Sequence, residues 1–244
     1  MNHLDAFADA LIGAHQSGSR CAPDGPAPKT HAEAYYIQAR VSPALGPVAG
    51  FKAALKPGQE PIMSPIVPGS VFESGATVAI GDVMGVELEV GWKIIAPLPD
   101  PSADDFEAKL CRSILPVPVI ELVNSRLLGP LAEDPIAKLA DFQINHGLII
   151  GTPIGDWDGR DIGNIEARMQ AGDNIMLDGP ADVPGGSAFS TLKMLFAKIG
   201  THCGGLQVGQ TVITGSLHPL TYIDVPCEVR GQIDGLGAIS VTLN

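Results

Sequence analysis

The chain has 244 residues, 45% of them hydrophobic and 17% charged, a length that supports a hydrophobic core without disulfide or metal staples and suits one domain with at most a small appendage. Lys and Arg number 15 against 27 Asp and Glu, a formal net charge of −12 with no dominating run of either sign, which argues against a phosphate-neutralising surface and so against nucleic acid as a partner. The mean hydropathy of +0.21 is high, but 29 Gly and 21 Pro interrupt the apolar stretches, and none approaches the roughly 20 residues that a membrane span needs.

The first twenty residues lack a basic n-region and a continuous apolar h-region and carry Asp5 and Asp9 instead, so a cytoplasmic address is expected. Cys21, Cys111, Cys203 and Cys227 form no C-x-x-C pair and read as free thiols. Leu4, Phe7, Leu11 and Ile12 recur at helical spacing, and the Pro/Gly-rich text after Cys21 breaks that helix. Thr30 and Glu33 make a capping-box pattern, which predicts a helix from about Glu33 to Arg40. From Gly46 to Asn124 the text changes to short β-like runs: Val48 to Leu55, Thr77 to Ile80, Val86 to Ile95, and Val117 to Val123.

A helix is predicted between these strands, capped within Ser102 to Asp105 and carrying Phe106, Leu110 and Ile114 on one stripe. Asp134 followed by Pro135 reads as an N-cap with proline at the first helical position, opening a short helix that ends near Phe142. Strands are then expected at Leu148 to Ile150, Asn174 to Leu177, Thr211 to Thr214, Cys227 to Val229 and Ala238 to Leu243, with a helix from about Ala188 to Ile199 stopped by Gly200. Strands outnumber helices without regular βαβ alternation, which predicts an α+β fold with a largely β core.

The chemistry concentrates in two of these strands. In Val86-Glu87-Leu88-Glu89-Val90 side chains alternate, so Val86, Leu88 and Val90 face one way while Glu87 and Glu89 are neighbours on the other face. The run Pro116 to Val123 is apolar except for Glu121, which reads as a strand buried on both faces with one carboxylate set in it. A buried lone charge needs a cation. Arg126 or Arg112 could supply an ion pair, or a divalent metal could be shared by Glu87, Glu89 and Glu121, three hard oxygen donors that suit Mg²⁺ or Mn²⁺. Lys52 lies among small apolar neighbours; it is either a surface lysine with its stem on Phe51, or a partly desolvated ammonium available for proton transfer or anion pairing. No G-x-G-x-x-G, G-x-S-x-G or Walker spacing occurs, and His202, Cys203 and His218 lack metal-ligand spacing.

Taken in order, Ala32-Glu-Ala-Tyr-Tyr-Ile-Gln38, Gly50-Phe-Lys-Ala-Ala-Leu55, Val86-Glu-Leu-Glu-Val90, Ile120-Glu-Leu-Val-Asn-Ser-Arg126, Thr214-Gly-Ser-Leu217 and Gly235-Leu-Gly-Ala-Ile-Ser-Val241 resemble the 2-keto-4-pentenoate hydratase and 4-oxalocrotonate decarboxylase branch of the fumarylacetoacetate hydrolase superfamily. The resemblance spans most of the chain. It implies a mixed β-roll of the fumarylacetoacetate hydrolase C-terminal-domain type over residues 46–244, with flanking helices and an N-terminal helical segment, residues 1–45, packed on the core. It further implies Mg²⁺ or Mn²⁺ held by Glu87, Glu89 and Glu121, an essential Lys52, and Leu55, Asn145 and Ser216 against the substrate.

Two departures stand out. Where the family carries an acidic pair thought to help proton transfer, this chain reads Ile66-Val67-Pro68-Gly69, and the family's Asp-Asn-Ala-Ser-Ser run appears here as Asp141-Phe-Gln-Ile-Asn145-His146. His146 is the candidate substitute acid/base; the alternative is a satisfied core histidine. The activity implied is a Mg²⁺-dependent hydratase adding water to a 2-hydroxy-2,4-dienoate to give a 4-hydroxy-2-oxo acid, as in bacterial degradation of aromatic compounds. The alternatives are a 2-oxo-3-hexenedioate decarboxylase, an acylpyruvate hydrolase, or a non-catalytic partner subunit of a hydratase/decarboxylase complex. The partner expected is thus a small 2-oxo or 2-hydroxy-dienoic acid, with no nucleic acid and no membrane. Self-association into a homo-oligomer is expected from the apolar composition, and the resemblance adds association with a homologous decarboxylase or hydratase.

Overall fold

A computed structural model describes residues 3–55, 58–155 and 157–244, without the side chain of Pro68. Two sheets and a helical layer make up the fold. In chain order the helices are α1 (Asp5–Ser17), α2 (His31–Leu45), α3 (Phe106–Ser113), α4 (Pro135–Ala140) and α5 (Ala188–Ile199). The strands are β1 (Gly50–Ala54), β2 (Ile62–Ile66), β3 (Val71–Glu73), β4 (Ala76–Val78), β5 (Met84–Ile94), β6 (Ile114–Val123), β7 (Asn145–Ile150), β8 (Asn164–Ala171), β9 (Asn174–Asp182), β10 (Thr211–Ser216), β11 (Thr221–Ile223), β12 (Cys227–Ile233) and β13 (Gly237–Leu243). The α+β expectation holds.

The larger sheet runs β2-β1-β10-β5-β6-β7-β3, with β11 also on β5; the smaller runs β4-β13-β12-β8-β9. Because β2 and β3 are the two ends of the larger sheet yet are joined only by residues 67–70, the sheet must curl until its ends approach. The approach is close at Gly147, where a methyl would stand 2.5 Å from the Ser70 carbonyl oxygen. One face of this roll, carrying Val86, Leu88, Val90, Ile120 and Leu122, packs with Met169, Val229, Ile239 and Val241 of the second sheet to form the main core. The other face is enclosed by the roll. It holds a small apolar cluster of Ile66, Val117, Val119, Leu148 and Ile213.

The helical layer follows from its stripes. Leu4, Phe7, Ala8 and Leu11 recur at the spacing of one helix face and meet Ala34, Ile37 and Val41 of α2 together with Leu139, Ala140 and Phe142 beyond β6. Thr30 caps α2 by accepting the Glu33 N–H, and Asp134 caps α4 by accepting the N–H groups of Ile136 and Ala137. The helix predicted over Glu33 to Arg40 in fact begins at His31 and continues through Pro43 to Leu45.

The predicted cap of α3 is absent: Asp105 makes no capping bond, and Ser102 bonds Asp100 instead. Ile114, placed by its spacing on that helix, is the first residue of β6. Two prolines sit in β6 although it is an inner strand. Both precede Val119, where pairing with β7 ends, and their carbonyls accept the N–H groups of Gly151 and Ile154, so neither ring displaces a ladder bond. All four cysteines are free, as their spacing indicated.

Candidate metal and acid–base site

Glu87 lies directly opposite Glu121 in the β5–β6 ladder, and Glu89 follows one pleat further on the same face. One oxygen of each carboxylate falls within a group whose atoms are all within 4.8 Å of one another. Lys52 reaches this cluster from β1, where alternation sends Phe51 and Ala53 into the main core and Lys52 to the enclosed face. Its Nζ donates to Glu121 Oε2 at 2.7 Å and stands 3.8 Å from Glu87 Oε2. The Lys52 side chain is 11% exposed and that of Glu121 is fully covered, so the surface-lysine reading is overturned.

The partner of Glu121 is therefore Lys52, and neither arginine considered from the sequence fills that role. Arg126 Nε instead donates to Asp141 Oδ1 at 2.7 Å, and the Arg126 backbone N–H donates to Asp141 Oδ2 at 2.8 Å. This clamp secures a turn in which Phe142, Gln143 and Ile144 all have φ between 51° and 55°, a left-handed run of non-glycine residues that the surrounding contacts must enforce. Arg126 Nη1 then donates to the Asn145 carbonyl at 2.6 Å, and Asn145 Nδ2 donates to Glu121 Oε1 at 2.7 Å. Asn145, expected against substrate, is thus bonded to a carboxylate of the cluster.

Glu89 is held from the other side. The β10–β5 register shifts between Ile213 and Ser216, and there the Gly215 N–H donates to Glu89 Oε2 at 2.7 Å. Glu89 Oε1 is buried with no hydrogen-bond partner among the described residues. Burial, then the negative charges of Glu121 and Glu87, push the Glu89 carboxyl well above its usual range against the pull of Lys52 and the Gly215 N–H. Burial opposes the Lys52 ammonium, but Glu121, Glu87 and Glu89 outweigh it and hold the lysine above its ordinary value. Three clustered carboxylates, one with an unpartnered buried oxygen, suit a hard divalent cation: Glu87, Glu89 and Glu121 would be its ligands.

The remaining expected site residues occupy separate positions. Ser216 pairs with Glu89 in register, with its Oγ donating to the His218 carbonyl at 2.6 Å. Leu55 follows β1 and lies against Gly185, without a hydrogen bond to the glutamates. His146 is the extra residue of a bulge in β7, since Leu122 pairs with Gly147 and Val123 with Asn145. With Asn145, Arg126, His15, Val67 and Ser70 it lines a cavity of about 480 Å³, so it shares a wall with the segment where the expected acid is missing. Burial and then Arg126 lower its pKa to about 4. The Gly215 N–H and the Arg126–Asp141 clamp were not identified from sequence, because a backbone donor leaves no residue signature and the clamp depends on a turn of unusual φ.

No protein-family model matches the chain. Among solved structures, 4-oxalocrotonate decarboxylase from Pseudomonas putida G7 is similar over 98% of this chain and 96% of its own, with TM-score 0.73 and 19% identity; it was determined with calcium and acetate and with magnesium and adipate. The 2-hydroxyhepta-2,4-diene-1,7-dioate isomerase from Mycobacterium marinum is similar over 80% of this chain and 75% of its own, with TM-score 0.58 and 14% identity. The 5-carboxymethyl-2-hydroxymuconate delta-isomerase from Mycobacterium smegmatis is similar over 81% and 78%, with TM-score 0.55 and 14% identity. The fold is the one these enzymes share, in line with the superfamily resemblance read from the residues.

Proposed function

We propose that the chain is a Mg²⁺- or Mn²⁺-dependent lyase that adds water to a 2-hydroxy-2,4-dienoate. The observation that carries this reading is the convergence of Glu87, Glu89 and Glu121 with Lys52 on the enclosed face of the roll. When bound, a divalent cation at those carboxylates supplies a Lewis acid for the C1 carboxylate and C2 oxygen of a 2-oxo acid. Lys52, paired with Glu121 and Glu87, stays protonated at neutral pH and can pair the substrate carboxylate or deliver a proton. Asn145 fixes Glu121 in place, and Ser216 stands opposite Glu89 as a hydroxyl for substrate. His146 lines the cavity beside Asn145 and Arg126 and is the side chain assigned to water activation in place of the missing acid.

A second reading, decarboxylation of a 2-oxo-3-hexenedioate, draws support from the decarboxylase that matches nearly the whole chain. It requires the same carboxylates and lysine but no water-activating base. Incubating the purified protein and Mg²⁺ with each acid, while following dienol absorbance and released CO₂, tests both. Dienol loss without CO₂ supports hydration, and CO₂ release supports decarboxylation. Hydrolysis of an acylpyruvate would displace both readings, and inertness toward every acid would favour a partner subunit. Activity that persists in protein shown by elemental analysis to be metal-free would remove the metal from the proposal.

A further inference from the structure

His218 was set aside from sequence because it lacks ligand spacing, yet it occupies a gap in the sheet beside the carboxylates. Strand β5 has two partners on one edge: β10 pairs as far as Glu89, and β11 begins again at Val86. Between them Leu88, the residue separating Glu87 from Glu89, has no strand opposite it on that edge among the described residues. Its carbonyl accepts the Leu217 N–H at 2.8 Å. Its N–H donates to His218 Nε2 at 3.2 Å. His218 Nδ1 faces the Pro219 carbonyl oxygen at 2.8 Å, so that nitrogen carries the proton and Nε2 is left as the acceptor. Met169, from the second sheet, packs against the same edge of the ring.

The same short segment makes three attachments at the site. The Gly215 N–H holds Glu89, the Leu217 N–H holds the Leu88 carbonyl, and the His218 ring receives the N–H of Leu88. From this we infer that His218 is a positioning residue for the carboxylate cluster: its imidazole replaces a missing strand partner at Leu88 and thereby sets the separation and tilt of Glu87 and Glu89. The inference rests on the reading of those glutamates as metal ligands. Without the acceptor, a buried N–H between the two glutamates is left unpaired, and β5 keeps only the Leu88 carbonyl bond on that edge to hold its tilt there.

The test compares His218→Leu, which keeps bulk and loses the acceptor, with His218→Gln, whose Oε1 can reach the position of Nε2. Mn²⁺ affinity is measured by electron paramagnetic resonance of free ion, alongside amide hydrogen exchange at Leu88 and circular dichroism. His218→Leu should bind Mn²⁺ at least about tenfold more weakly, the scale of lost support for a metal ligand, with faster exchange at Leu88. His218→Gln should stay within about threefold of the parent protein on the same scale. Parent-like Mn²⁺ affinity in a folded His218→Leu overturns the inference. Should that variant fail to fold, a folded His218→Gln that keeps Leu88 protection and Mn²⁺ affinity supports it, and one that loses either overturns it. If the parent protein binds no Mn²⁺ while Leu88 is protected in it and exposed in His218→Leu, the metal reading fails and the hydrogen bond stands.

Discussion

Replacing Lys52 by Met keeps most of the stem volume and deletes the ammonium, leaving Glu121, Glu87 and Glu89 to face one another. At an effective dielectric constant of about 20, the contact at 2.7 Å is worth about 6 kcal/mol in gross Coulomb energy and the one at 3.8 Å about 4 kcal/mol. Much of this is offset by the cost of desolvating the ammonium, which the methionine no longer incurs. Removing one partner of a buried pair typically costs about 3–5 kcal/mol, and that is the loss expected for metal-free Lys52→Met at pH 7. A divalent cation should recover much of it, because saturation at a hundredfold excess over Kd adds about 2.7 kcal/mol and the repulsive cluster gains most from the cation. Urea unfolding in EDTA and in excess Mg²⁺ measures both quantities. With Mg²⁺ present, turnover should fall by about 10²-fold or more; equal losses in kcat and kcat/KM would mark a transition-state role, and a raised KM alone a carboxylate clamp. Metal-free stability within about 0.5 kcal/mol of the parent, as for an ordinary surface change, would refute the argument.

Glu121→Gln should weaken Mn²⁺ binding more than Glu87→Gln, by calorimetric titration. Both oxygens of Glu121 accept from Asn145 and Lys52, so a glutamine must turn an NH₂ toward one donor, whereas the Glu87 side chain is 15% exposed and water can compensate part of the change; equal losses would contradict this. For His146 the folded pKa of about 4 lies below the ordinary 6.5, so the folded protein binds fewer protons between those values and stability drops as pH falls through that window. His146→Gln should remove about 2 kcal/mol of that acid sensitivity after allowance for solvent screening, read from urea midpoints at pH 7 and pH 4.5; parallel pH profiles would contradict it. Gly50→Ala should cost at least about 3 kcal/mol, because the added methyl collides with the Thr211 carbonyl oxygen and β1 must leave β10. A parent-like melting temperature in that variant would show that the strands are not so closely apposed.

What the sequence made legible was whatever is written in alternation and capping. Glu87 and Glu89 on one face of β5, Glu121 alone in an apolar β6, and the stop of α5 at Gly200 all follow from local pattern. Strand β2 was not foreseen because Pro65 interrupts it, which is tolerated at the end of a sheet. Strand β8, with Glu166, Ala167, Arg168, Met169 and Gln170, has the composition of a helix, and pairing on both sides by β9 and β12 overrides that preference. At the site, residue types pointed to the carboxylates and Lys52. The choice of Lys52 over an arginine as the partner of Glu121 depends on strand order, which the local text does not encode.

That strand order also bears on how the chain folds as it is synthesised. Strands β5 and β6 are near neighbours in sequence, so Glu87, Glu89 and Glu121 can be brought together once about half the chain has been made. Lys52 is fixed by β1, which lies between β2 and β10 and joins the rest of the sheet through its parallel pairing of Gly50 to Lys52 with Thr211 to Ile213. That closure spans some hundred and sixty residues, among the slowest kinds of contact for a chain to make. In a chain made from its N-terminus, the pairing that faces Glu87 with Glu121 can therefore precede the closure of β1 onto β10, which makes Lys52 the last charge of the cluster to be fixed.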